Sequence, residues 1–143
     1  MDTIHLIVGV SVLASNALAG GWGAIAWLQD RPAVGFWYAL RFAQAAVVVQ
    51  VMLGALLLLS GRVADDLHYL YGILPLGVSL VAEAIRAGAA ERELEGLDFE
   101  SLPSDRQRRI ALAIVRRETG IMAVSALIIT FLALRAAGTT PLL

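Results

Sequence analysis

The chain has no cysteine and no lysine, and only 16% of its 143 residues are charged. Without cysteine there are no disulfides, thiolate metal ligands or iron–sulfur clusters, and a c-type haem has nothing to attach to. Without lysine, arginine is the sole basic residue type, which reads first as compositional bias and carries little functional weight. A soluble domain has roughly a quarter of its residues charged, so the shortage of charge argues against a soluble fold. The net charge of −1 gives no electrostatic case for nucleic acid. A basic flank is also missing from the N-terminus, where Asp2 precedes the first apolar run. A secretory signal needs that flank, so the first apolar segment is expected to stay in the mature protein.

Apolar residues make up 59% of the chain and are gathered into long runs. A bilayer core takes about 20 apolar residues per helix. Four stretches meet that length, near residues 4–28, 34–60, 66–86 and 118–137. The expected fold is all-α: an integral membrane four-helix bundle with up-down topology, forming one domain over residues 1–143. Gln29-Asp30-Arg31-Pro32 closes the first span, because proline stops a helix. Phe36, Trp37 and Tyr38 open the second with an interfacial aromatic cluster. The turn from Val63 to Asp66 is so short that the second and third spans must form an antiparallel hairpin. Residues 87–117 are expected to be a water-exposed acidic loop plus an extension of the fourth helix. Ser104 with Gln107 reads as a capping box there.

Arginine placement predicts orientation. Arg31 and Arg41 flank the first connection, and Arg86, Arg92 and the run from Arg106 to Arg117 flank the third. The second connection sets Arg62 against Asp65 and Asp66. The positive-inside bias therefore predicts both termini outside and the long loop in the cytoplasm, in a multi-pass prokaryotic plasma membrane protein.

Two histidines stand out in this apolar chain: His5 in MDTIHLIVGV and His68 in DDLHYLYGILPL. Each is followed four residues later by a glycine, Gly9 or Gly72. On the first helix His5, Gly9, Val12, Asn16, Gly20 and Gly23 share a face; on the third, His68, Gly72, Pro75, Ser79 and Ala82 or Glu83 do. Small and polar residues in lipid turn toward other helices. Both imidazoles are thus expected at one depth, on interior stripes, near the outer face. The glycines read either as space for a flat macrocycle or as simple close-packing positions. The histidines read either as interfacial hydrogen-bonders or as axial ligands of a b-type haem, a common use of the residue. Arg62 and Arg135 fall on the same side and could pair with haem propionates, or else snorkel to lipid phosphates.

Asn16, Gln44 and Gln50 are expected to hydrogen-bond across helices, and Arg41 to pair with Glu83 across the hairpin. Asp65 and Asp66 beside His68, with Asp2 near His5, form an alternative outer-face metal constellation. Helix N-termini favour acids in any case.

The stretch from Gln50 through Gly54 to Gly61, followed by Leu67-His68, has the form Q-x-x-L-G…G, a short outer turn, then a helix opening with histidine. Over roughly residues 44–76 this resembles the haem A synthase family. The resemblance implies four-helix halves with histidine haem ligands near the outer side, His68 as one axial ligand and His5 as its partner. The chain departs from the family in having no cysteine, hardly any outer loop and no arginine after His5. The resemblance therefore implies a haem-b-type bundle, for electron transfer or haem handling, more than haem A synthesis. Two other readings stay open. One is a non-catalytic membrane subunit or scaffold of a larger complex, which it meets through the acidic loop or the arginine-rich start of the fourth helix. The assembly would be with a membrane-protein partner or a homo-oligomer. The other is a small transporter-like protein that assembles as a dimer to complete a pathway.

Overall fold

The computed structural model describes residues 2–139, and among them every regular element is helical. The helices are α1 (Asp2–Leu28), α2 (Val34–Leu59), α3 (Asp66–Leu94) and α4 (Ser104–Gly138). All four are long and apolar enough to cross a membrane. Their outer surfaces fit that medium, with Leu6, Leu18, Tyr38, Leu59, Leu80 and Phe131 all exposed. Helices suit lipid because each satisfies its own backbone hydrogen bonds. The chain is a multi-pass helical membrane protein.

Two tight connections set the up-down order. α1 ends in a Schellman motif: Arg31 N–H donates to Ala26 O at 3.0 Å and Asp30 N–H to Trp27 O at 3.3 Å. Asp30 takes the left-handed position at φ 53°, which a short polar side chain tolerates. α2 ends in the same way, with Arg62 N–H on Leu57 O, Gly61 N–H on Leu58 O and Gly61 at φ 79°. Asp65 then caps α3, its side chain accepting from Leu67 N–H at 3.1 Å.

α1 packs extensively on both α2 and α4, and α3 packs on α4, while the α2–α3 interface is thin. α1 and α3 therefore stand across the diagonal of the bundle. Its buried interior has two apolar layers. Ala19, Phe36, Leu40, Ala82, Met122 and Ala126 form one, and Val12, Val47 and Ile129 form the other, with Leu76 and Ala133 packed against it. Aromatic rings lie directly on glycines at the end away from the histidines. An added Cβ would lie 2.5 Å from Phe36 at Gly23 and 2.8 Å from Trp27 at Gly120.

Three expectations need correction. α3 runs on to Leu94 rather than ending near residue 86, because its continuation (AGAAEREL) is rich in helix formers and its Ala89 is buried. The Ser104–Gln107 capping box does not form. Pro103 stands at the N-cap with no side-chain bond, and Gln107 Nε2 instead donates to the carbonyls of Phe99 and Leu102, each at 3.0 Å. Asn16 bonds within its own helix, donating to Val12 O at 2.9 Å, rather than across helices.

At the end opposite the histidines, the expected Arg41–Glu83 pair does form and belongs to a larger network. Glu83 accepts from Arg41, from Gln44 at 2.9 Å and from Arg86 at 2.8 Å. Arg86 also reaches Glu118 at 3.5 Å and lies 5.8 Å over the Trp37 ring. Asp30 pairs with Arg116, and Glu93 with Arg117 at 2.9 Å. Opposite charges thus tie α2, α3 and α4 together where the helices leave the apolar zone.

Candidate functional site

The histidines meet. His5 on α1 and His68 on α3 have ring centroids 6.1 Å apart, tilted by 55°. They reach one another across the bundle diagonal because each lies on the small-and-polar stripe of its helix, and both are half-buried.

The ring of His68 is held from α4. Its Nδ1 lies 3.2 Å from Ala136 O, and Thr139 Oγ1 donates to the same carbonyl at 2.7 Å. A carbonyl oxygen can only accept, so His68 Nδ1 is the donor in this contact. Metal-ligating histidines are typically fixed in this way, with the second ring nitrogen donating to a carbonyl or carboxylate.

His5 is set by α2. Gln50 Nε2 lies 3.1 Å from His5 Nε2. An amide nitrogen can only donate, so His5 Nε2 is the acceptor. The pairing follows from two equal spacings read in opposite directions. α1 offers histidine then glycine four residues on, and the antiparallel α2 offers Gln50 then Gly54. His5 consequently faces Gly54, where an added Cβ would sit 3.5 Å from its Cε1, and Gln50 faces Gly9, where an added Cβ would sit 3.0 Å from its amide nitrogen.

This corrects the reading of Gly9 as empty volume beside an imidazole: Gln50 takes up that volume. Gly72 does open onto free space, with nothing within 4 Å of an added Cβ. Gln50 and Gly54 are the site residues that sequence reasoning undervalued. Gln50 reads from sequence as a structural cross-link, and Gly54 enters only through the Q-x-x-L-G resemblance.

Arg135 lies 5.7 Å over the Tyr71 ring, a cation–π arrangement. Arg62 is exposed in the α2–α3 turn at the same end. The side chain of Asp2, expected near His5, lies outside the described residues. Asp65 is used in capping α3, and among the described residues no three His, Cys, Asp or Glu side chains converge.

That donor set can be tested against possible occupants. A protein-bound zinc takes three or four protein ligands, more than the two imidazoles provide. A haem brings four ring nitrogens of its own and asks only for axial ligands. Two imidazoles on one metal, with metal–nitrogen bonds of about 2.0–2.1 Å, put their ring centroids roughly 6 Å apart when the bonds are collinear. The separation of 6.1 Å is close to that span, while His5 Nε2 is turned to the Gln50 amide. Val12, Val47, Ile129, Leu76 and Ala133 form a close-packed apolar layer deeper in the bundle. No family model, curated protein or solved structure matches the chain.

Proposed function

We propose that this is a b-type haem protein of the prokaryotic plasma membrane, with His5 and His68 as axial ligands, serving electron transfer or haem handling at the outer face. One observation carries the reading: two imidazoles from diagonal helices lie 6.1 Å apart in a chain with no other histidine. The contact of His68 Nδ1 with Ala136 O supports it, because it orients the ring and leaves Nε2 outside that hydrogen bond. The Q-x-x-L-G…G resemblance over residues 44–76 points the same way. In this arrangement Gly54 and Gly72 leave side-chain-free surface on α2 and α3. Arg62 and Arg135 supply positive charge at the same end for propionates. The haem would provide one-electron chemistry, while the protein orients it and excludes water.

The test is an absorption spectrum of the purified full-length protein in detergent, oxidised and then reduced, with haemin added if needed. A Soret band that shifts on reduction is expected in the wild type, and His68→Ala should lose the low-spin component. Purified protein with no Soret band even after haemin addition would overturn the reading. An unchanged spectrum in His68→Ala would remove that residue from the site.

A further inference from the structure

We infer that the corner where α1 ends against α4 binds the headgroup of an anionic phospholipid from the adjoining leaflet. The site lies at the arginine end and does not depend on what the histidines hold.

α1 stops at Leu28 and the chain turns away at Pro32, whereas α4 reaches back to Ser104. From Arg116 to Ser104 is roughly 18 Å of helix at 1.5 Å per residue, and this stretch extends beyond the end of α1. The corner so formed encloses a cavity of about 220 Å³. Trp27, Pro32, Leu112, Ala113 and Val115 give it an apolar floor and wall, and Asp30, Arg31 and Arg116 stand among its lining. The Trp27 ring is braced on α4 at Gly120, where an added Cβ would lie 2.8 Å from it. The apolar run of α4 begins near residue 118, so the cavity lies where acyl chains give way to headgroups. Tryptophan favours that depth.

The charge around the opening is positive. Arg116 gives its Nε to Asp30, which leaves both terminal guanidinium nitrogens as donors. Arg86 and Arg117 are taken up by glutamates elsewhere at this end. Arg31 is exposed and makes no side-chain ion pair among the described residues. Arg109 is exposed and unpaired in the same sense, and its spacing puts it on the α4 face of Leu112, Ala113 and Arg116. Three guanidiniums therefore flank one carboxylate. Guanidinium recognises phosphate through paired, charge-assisted hydrogen bonds.

The apolar floor decides where that phosphate comes from. A free phosphate is hydrated on every side and gains nothing from Trp27 or Leu112. A phospholipid sets its phosphate among the arginines and its glycerol and first methylenes on the floor, removing apolar surface from water.

The experiment titrates the full-length protein in a neutral detergent with phosphatidylglycerol or phosphatidylcholine and counts bound lipid by native mass spectrometry. Inorganic phosphate is added as a competitor. Phosphatidylglycerol should occupy one site about tenfold more tightly than phosphatidylcholine. Arg31→Gln, which leaves the Asp30–Arg116 pair in place, and Arg109→Gln should each weaken it about fivefold, the worth of one arginine at an anionic surface. Ala113→Trp fills the cavity without changing charge and should abolish the tight site. Arg92→Gln removes an arginine of the same end on α3, across the bundle from α1, and should leave binding unchanged. Equal affinity for the two lipids, or equal losses in Arg92→Gln and Arg31→Gln, would overturn the inference, because diffuse charge would then suffice. So would undiminished binding in both Arg31→Gln and Ala113→Trp. Displacement of the lipid by inorganic phosphate would overturn it in favour of a soluble anion.

Discussion

At Gly35 an added Cβ would lie 2.3 Å from the Trp22 ring, and at Gly23 it would meet Phe36 and Ala123 at under 3 Å. Indole and phenyl rings are rigid and cannot fold away, so α1 and α2 hold their spacing only while these positions lack a side chain. Gly35→Ala should destabilise the bundle by about 1–3 kcal/mol, the usual penalty for overpacking a filled interface. Gly21→Ala, where nothing lies within 4 Å, should be neutral or slightly stabilising through higher helix propensity. Thermal unfolding in detergent, followed by circular dichroism, separates the two. Equal melting temperatures would show that the rings have room to shift. Residue-scale legibility was uneven for the same reason. The histidine stripes could be read because helical periodicity needs only one chain segment. That Gln50 rather than empty space lies beside Gly9 depends on the register between two helices, and periodicity within one helix does not contain it.

α2 is the least anchored helix, since it packs well on α1 and only thinly on α3. Its link to α3 at the arginine end runs through Glu83, which takes Arg41, Gln44 and Arg86 at once. Glu83→Ala removes the acceptor these three donors share, leaving Arg41 only Gln44 and Arg86 only Glu118, and should cost about 1–3 kcal/mol. Glu83→Gln, which keeps one acceptor oxygen, should cost less. The same unfolding assay, repeated at high salt, tests the assignment. Near-equal stabilities of wild type and Glu83→Ala would make the cluster incidental, as many exposed ion pairs are. Both the Arg41–Glu83 pairing and the tight hairpin were legible, because a very short turn forces the neighbouring spans antiparallel. The extension of α3 to Leu94 was not. Its last turns are polar, and a hydropathy reading ends a span where the apolar run ends, while the helix itself continues on propensity and on the contact between Glu93 and Arg117.

At the scale of the whole molecule, α4 is 35 residues long, or roughly 52 Å at 1.5 Å per residue. The hydrocarbon core is only about 30 Å thick, so α4 and the end of α3 must project well beyond it. The projecting end holds Arg31, Arg41, Arg86, Arg92, Arg106, Arg108, Arg109, Arg116 and Arg117, whereas the histidine end has only Arg62 and Arg135. Carboxylates at the projecting end nearly balance its charge. Orientation follows the count of basic residues near the spans, with acidic residues contributing little. The projecting end is therefore expected in the cytoplasm and the histidine pair at the outer face. The absence of native cysteine makes a direct test simple, because any introduced cysteine is the only thiol in the chain. Val63 is 87% exposed in the α2–α3 turn, and Asp98 is exposed in the α3–α4 connection. In intact cells a membrane-impermeant maleimide should label Val63→Cys, and should reach Asp98→Cys only after the membrane is opened. The opposite pattern would place the histidines on the cytoplasmic side, and any haem held there would exchange electrons with soluble cytoplasmic donors instead of outer-face partners.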